Sequence, residues 1–345
     1  MSNNYSCCSS NSSCCDSTLK TNDVQAIPTS LTPGDKFGAL KVRCSFGRMD
    51  YTVEPGLYAV GEPDSDSPVL VSANYKLTFD TVRKNLDGLD CWLLILDTKG
   101  VNVWCAAGKG TFGTDELVNR IKSVGLSEIV SHKKLILPQL GAPGMRAHEI
   151  EHRTGFSVIY GPVRADDIKE FLSSGYMATK EMRTVKFTFL DRLVLTPMEL
   201  IVILKVAMIV FGVLFLINLF AIRAFGIQDF ILYIASILIG SVLTPVLLPV
   251  IPGRAFAFKG WLLGLICIAI LIWQFGWFNS PYLLLGIGYM LVLPAHSAFI
   301  AMNFTGASTY TSPSGVLKEM TIALPFIILS TLTGIVLILI KAFTG

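Results

Sequence analysis

The stretch DTKGVNVWCAAGKGTFGTDEL, Asp97 to Leu117, decides how this chain is read. Directly before it, CWLLIL (Cys91 to Leu96) is a short continuous apolar run, the pattern of a buried central strand. Directly after it, Thr114 with Glu116, then Leu117, Val118, Ile121 and Val124, has the spacing of a capped amphipathic helix. Between them lie Gly100, Gly108, Gly110 and Gly113, with Cys105 in the middle. A glycine-rich strand-to-helix connection brings backbone close to a large ligand. Cys105 is the only soft donor in that loop.

Outward from this stretch the pattern alternates. ALKVRCSF (Ala39 to Phe46) and SPVLVSA (Ser67 to Ala73) have strand character, and Phe79, Val82, Leu86 and Leu89 mark a helix. KLILPQ (Lys134 to Gln139) is a further strand that runs into LGAPG (Leu140 to Gly144). A helix around Ala147 to Arg153, the strand FSVIYG (Phe156 to Gly161) and a helix opened by Arg164 to Asp167 complete the series. Strands alternating with helices predict an α/β fold, a Rossmann-like, doubly wound, largely parallel sheet. Ligands of such sheets sit beyond the carboxyl ends of the strands. Those ends are Ser72 to Lys76, Asp97 to Cys105, Pro138 to Pro143 and Tyr160 to Pro162.

The second half is different. Mean hydropathy is +0.58 for the whole chain, and 52% of its 345 residues are hydrophobic, because residues 196–345 are dominated by apolar runs. Five segments, Glu199–Ile222, Phe230–Ile251, Trp261–Phe278, Tyr282–Ala301 and Thr321–Ile340, each approach the roughly 20 residues that a helix needs to cross a bilayer. The expected division is a Cys/Ser-rich tail (1–37), an α/β domain (38–175), a basic connector (176–195) and a five-helix, all-α transmembrane bundle (196–345). Trp261, Trp273, Trp277 and Tyr282 fall near segment ends, as interfacial aromatics do. The connector, Arg254, Lys259 and Lys318 share one side, with Arg223 and Lys341 opposite. This predicts a multi-pass protein of the cytoplasmic membrane, with the α/β domain in the cytoplasm and the C-terminus outside. Lys205, inside the first span, either snorkels or lines a polar path. Nothing else in the bundle resembles a proton relay or ion site.

Net charge is only +3, and the basic residues are not interleaved with aromatics, so nucleic acid is set aside as a partner. The eight cysteines include no Cys-x-x-Cys framework and no spacing suited to iron–sulfur ligation. Cys7, Cys8, Cys14 and Cys15 lie in the low-complexity tail. They are either variable and without a fixed role or a capture site for a soft metal ion. Lys109 is followed by Gly110, so a P-loop is absent, and no G-x-G-x-x-G follows the first strand. A Cys-His dyad stays open, since the chain has four histidines but none in the loop.

NVWCAAGK (Asn102 to Lys109) resembles the signature of the HgcA family, the membrane-bound corrinoid proteins of mercury methylation. The run from ANYKLTFD (Ala73 to Asp80) through the same loop is also similar to the corrinoid domain of the corrinoid iron–sulfur protein large subunit. So are CSFGRMDYTVEPGLY (Cys44 to Tyr58) and NFTGASTYTSPSGVLKEM (Asn303 to Met320). That soluble relative also carries an iron–sulfur module and a barrel domain, for which this chain has no counterpart.

The resemblance implies a cobalamin-type corrinoid with Cys105 as the lower axial ligand of cobalt. Asn102, Val103, Trp104, Ala106, Ala107, Gly108 and Lys109 would build the segment that presents it. Strand-end position adds Asn74, Thr98, Gly100, Thr111, Gln139, Gly141, Tyr160 and Gly161 as cofactor contacts. Trp104 either shields the site or simply packs, and Lys109 either meets the thiolate or cofactor rim or is solvated.

The implied activity is corrinoid-dependent methyl transfer to inorganic Hg(II), forming methylmercury. Its partners would be the ferredoxin-like HgcB as electron donor, a methyltetrahydrofolate-linked methyl donor protein, and membrane lipid. A membrane-tethered methyl carrier of the acetyl-CoA pathway is one alternative. A non-enzymatic corrinoid- or metal-binding membrane receptor or transporter is another.

Overall fold

A computed structural model describes residues 24–220, 225–307 and 313–344. The four tail cysteines, Arg223 and part of the Asn303 to Met320 block lie outside the described residues. The chain divides into two units, residues 1–39 with 47–184, and residues 40–46 with 185–345.

In chain order the first unit contains β1 (Gln25–Ala26), the start of α1 (Pro33–Arg43, which passes into the second unit at Leu40), β2 (Gly56–Val60), β3 (Val69–Ala73), α2 (Lys76–Asn85) and β4 (Cys91–Leu96). There follow α3 (Val103–Lys109), α4 (Thr114–Ser123), α5 (Leu126–Ile129), β5 (Lys134–Leu137), α6 (Ala147–Thr154), β6 (Ser157–Tyr160) and α7 (Ile168–Ser173). The expected strand over Ala39 to Phe46 is instead the end of α1. Thr32 and Asp35 form a reciprocal capping box, with Thr32 N–H donating to Asp35 (3.0 Å) and Asp35 N–H to Thr32 Oγ1 (3.1 Å). Pro33 follows the cap, where its missing N–H costs nothing.

The six strands lie in the order β1-β2-β4-β3-β5-β6, and only the β2–β4 pairing is antiparallel. The largely parallel expectation holds, with the unanticipated β2 reversed. Alternating residues of the central strands feed two cores. Val69, Val71, Leu94 and Leu96 meet α3, α4, α5 and α6 on one face. Leu70, Leu93 and Ile95 meet α2 and α7 on the other. β3 crosses to β4 through α2 on the second face. β4 then crosses to β5, on the far side of β3, through α3 to α5 on the first. This reversal opens a crevice at the carboxyl ends of β3 and β5.

The second unit contains five helical passages long and apolar enough to cross a membrane: Phe189–Leu219, Ile227–Leu247, Phe256–Gln274, Leu283–Gly306 and Ser314–Ala342. They comprise α8 (Phe189–Phe220), α9 (Ile227–Leu238) with a π turn into α10 (Thr244–Leu247), α11 (Phe256–Gln274), α12 (Leu283–Asn303) and α13 (Pro313–Thr344). The first passage begins inside the expected connector because Thr188 and Asp191 form a second capping box.

Trp261, Trp273 and Tyr282 are exposed, but Trp277 is buried against Tyr289 with ring centroids 5.6 Å apart. The Lys205 ammonium lies 5.8 Å over the Phe46 ring within this unit. Two polar contacts escaped the sequence pattern. Tyr289 donates to Asp229 at 2.5 Å, and Ser236 meets His296 at 2.9 Å. Asp229 was passed over because the expected span began one residue after it.

Candidate functional site

The site is built on α3, and α3 is built on Asn102. Its side-chain oxygen accepts the backbone N–H of Cys105 at 2.9 Å, capping the first turn. Gly110 ends the helix in the left-handed conformation, with φ of 81°. Val103, Ala106 and Ala107, spaced i, i+3 and i+4, are buried in the first-face core. The opposite side of the helix therefore carries Cys105 and Gly108 one turn apart, flanked by Trp104 and Lys109. Trp104, Gly108 and Lys109 are exposed and Cys105 is half-buried.

A side chain added at Gly108 would meet nothing within 4 Å. Glycine inside a helix costs up to about 1 kcal/mol relative to alanine, so packing does not explain this residue. Open space beside a free thiol suits a flat ligand whose metal takes one soft donor. Among the described residues no three His, Cys, Asp or Glu side chains converge on a bare ion.

Asn74 organises the connection that delivers α3. Its carbonyl oxygen accepts from Thr98 N–H (3.1 Å), the Thr98 hydroxyl (2.8 Å) and Gly100 N–H (3.2 Å), while its amide donates to Asp97 (3.2 Å). Asn74 and Thr98 were expected at the cofactor. Both are buried, and these hydrogen bonds commit them to shaping the turn. Burial raises the pKa of Asp97, but hydrogen bonds from the Lys99 side chain and backbone outweigh it and hold the carboxyl below its ordinary range. Glu116 accepts Asp97 N–H at 2.9 Å, which ties the end of β4 to α4.

α3 reaches across the crevice to the 3-10 turn Gln139–Gly144, and the fully buried Phe112 is the peg between them. A Cβ at Gly144 would lie 2.1 Å from the Phe112 carbonyl and 3.1 Å from Ala107 Cα. One at Gly141 would lie 2.4 Å from the Phe112 ring. Gly141 is thus a packing position rather than an open cofactor contact, and Gly100 is similar, its Cβ site 2.7 Å from the Met49 carbonyl.

Among the remaining expected contacts, Gln139 accepts from Arg183 at 2.7 Å. Thr111 closes the helix end onto the Ala106 carbonyl, Tyr160 is half-buried with its phenol pKa pushed up by burial, and Gly161 is buried, a Cβ there lying 3.2 Å from Ile136 Cγ2. The strand-end residues thus form the rear support, and the exposed face is narrower than the sequence predicts. Phe112 and Gly144 were missed because their partnership needs the crossover. Ser72, which opens one of the expected strand ends, was not singled out as a contact. Its hydroxyl, near the carboxyl end of β3, is buried without a partner among the described residues.

Asn102→Ala is expected to remove the cap and destabilise the α/β unit by about 1 kcal/mol, read by urea denaturation. Its Cys105 should also gain accessibility to alkylating reagents, because the first turn frays.

A family model described as the CO dehydrogenase/acetyl-CoA synthase delta subunit matches residues 47–172. The acetyl-CoA decarbonylase/synthase complex subunit gamma of Methanocaldococcus jannaschii is 35% identical over 131 residues, 37% of this chain and 26% of that protein. The corresponding subunit of Methanopyrus kandleri is 36% identical over 127 residues, 36% of this chain and 27% of that protein. The family match takes in β2 to α7 and therefore all of α3, while the chain spans about a quarter of the length of the curated relatives it matches.

Proposed function

We propose that the chain is a membrane-anchored, corrinoid-dependent methyl-transfer protein. The observation that carries this is the outward face of α3, where a half-buried free thiol stands one turn from a glycine with open space above it. Cys105 would hold the metal of a corrinoid, Gly108 would leave room for the macrocycle, and Trp104 and Lys109 would border it. The buried Ser72 hydroxyl and the crevice beside β3 suit a polar appendage of the same ligand. A corrinoid bound there supplies a methyl group on cobalt. The five membrane-length helices serve as the anchor.

Two acceptors are distinguished by different observations. Similarity to subunits of acetyl-CoA decarbonylase/synthase supports methyl carriage within acetyl-CoA chemistry, and this reading has the wider support in sequence. The thiol supports Hg(II). Cys105 as a thiolate would be an electron-rich donor to the metal of a corrinoid held there, and such a donor would favour transfer of the methyl group with its bonding electrons, which an electrophile requires. This is the HgcA-like reading, and it needs two electrons per cycle from a ferredoxin-type donor such as HgcB. A methyltetrahydrofolate-linked protein would then return the methyl group.

The test is methyl transfer from the detergent-solubilised full chain loaded with methyl-corrinoid, offered Hg(II) in one assay and tetrahydrofolate in another. Methylmercury formation supports the mercury reading, and methylation of the nucleophile alone supports the carrier. Gly108→Leu tests the site itself. It should keep or raise the melting temperature, because leucine is the better helix former, and should reduce corrinoid retention at least several-fold. Unchanged retention would remove α3 as the cofactor platform.

A further inference from the structure

Within the second unit α13 is fastened to its neighbours near both ends of a shared cavity, with Ser330 also donating to the Leu291 carbonyl at 2.8 Å along its wall. At Gly334 a Cβ would lie 2.6 Å from the Gly288 carbonyl, so α12 and α13 touch backbone to backbone there. Nearer its start, Glu319 accepts the Ala257 N–H at 2.6 Å and fastens α13 to the first turn of α11. Between these points lies a cavity of about 640 Å³, within the usual ~300–1,000 Å³ of small-molecule sites. Ala257, Ala298 and Ala323 line it with Trp261 and Phe326, and Glu319 is the only charged residue in its wall.

The wall chemistry selects the occupant. Apolar walls of this size repel water and, left empty, forfeit dispersion contacts, so hydrocarbon is the natural filling. The charged end is specific. The Glu319 carboxylate stands where α13 meets the first turn of α11, at one end of the cavity. A carboxylate at the end of an apolar cavity complements an amphiphile whose headgroup carries an ammonium. A quinone offers only acceptors to the carboxylate, and an anionic lipid without an amine brings like charge to it.

We propose that this cavity binds one acyl chain of a zwitterionic aminophospholipid, phosphatidylethanolamine in its simplest form. The ammonium sits at Glu319.

The full chain, purified in mild detergent from membranes containing both phosphatidylethanolamine and phosphatidylglycerol, is examined by native mass spectrometry and lipid extraction. The expected result is one retained phosphatidylethanolamine per chain, enriched several-fold over phosphatidylglycerol relative to the membrane. Ala323→Phe fills the cavity and should lose the lipid. Glu319→Gln should keep a lipid while the headgroup preference falls to the membrane ratio. If Ala323→Phe does not fold, Ser330→Leu fills the opposite end and is read in the same way. A parent without bound lipid, or one whose retained lipids match the membrane ratio, overturns the proposal. So does a filled variant that keeps its lipid, or one whose only change is the loss of a dimer, which would make a second copy of the chain the occupant.

Discussion

Cys105→Ala is expected to lower methyl transfer by about 100-fold or more while the α/β unit stays folded and keeps its corrinoid. The magnitude takes as its floor the loss typical when even groups supporting a metal ligand are removed. The fold should be nearly indifferent. The side chain is half-buried on the outer side of α3, and the backbone N–H that Asn102 caps is present in either residue. Alanine is also the best helix former, so the stability change should stay within about 0.5 kcal/mol. Bound corrinoid is read from the visible spectrum, which should shift when the sulfur is lost, and transfer is followed by product analysis. Cys105→Ser should remain low, because a hydroxyl is a harder and poorer donor than a thiolate. A fully active alanine variant with an unchanged spectrum would show that the thiol does not face the metal.

Arg83→Met should be the most destabilising single change in the α/β unit, costing about 3–5 kcal/mol. Arg83 is 5% exposed, and it donates to Asp80 at 2.8 Å and Asp35 at 2.7 Å. Its remaining nitrogen reaches the Pro28 carbonyl at 2.6 Å and the Ser30 carbonyl at 3.1 Å. Lys76 bridges the same two carboxylates at 2.6 and 2.8 Å. Removing the guanidinium leaves two nearly buried carboxylates sharing one ammonium, and releases the segment leading into α1. Against a total stability of about 5–15 kcal/mol the loss is large. Lys99→Ala is the control. Its pair with Asp97 is exposed on the lysine side, so the change should leave the urea midpoint nearly unaltered.

The same cluster sets an acid limit. Burial raises the pKa of Asp35, but the hydrogen bonds from Lys76 and Thr32 outweigh it and hold the carboxyl well below its ordinary value. The folded form therefore binds its proton later than the unfolded chain. Its stabilisation is complete above that value and is lost progressively as pH falls below it. Urea midpoints measured from pH 5 downward should fall more steeply for the parent than for Asp35→Asn.

The sequence was most legible where one local pattern sufficed. β3, β4, β5 and β6 announce themselves as apolar runs, and the membrane passages by length and hydropathy. The T-P-G-D segment at Thr32 to Asp35 also carried a readable signal, a capping box with proline at the first helical position, but the β-branched and apolar residues after it suggested a strand. Much of the site's support was not legible. Asn74 meets Thr98 and Gly100 across more than twenty residues, Phe112 meets Gly141 and Gly144 only after the crossover to β5, and Arg83 reaches Asp35 across 48 positions. Which polar residues face a ligand and which support the loop behind it is settled by tertiary partners. Residue type and spacing leave both roles open.

The half-exposure of Cys105 also governs how the protein ages in air. Cys91 lies in the middle of the sheet, and its thiol is pushed up to about 12 by burial and by Asp90, so it stays protonated and chemically quiet. Cys105 stands half-exposed on the outer side of α3. The outer surface that gives it access to a ligand equally gives peroxide access to the sulfur, and each step from sulfenic to sulfonic acid removes a lone pair that a metal would use. A preparation handled aerobically would keep its fold, its melting temperature and its membrane helices while its active fraction declined. Mass spectrometry of the peptide containing Asn102 to Lys109 would find the lost activity as added oxygen atoms on one residue.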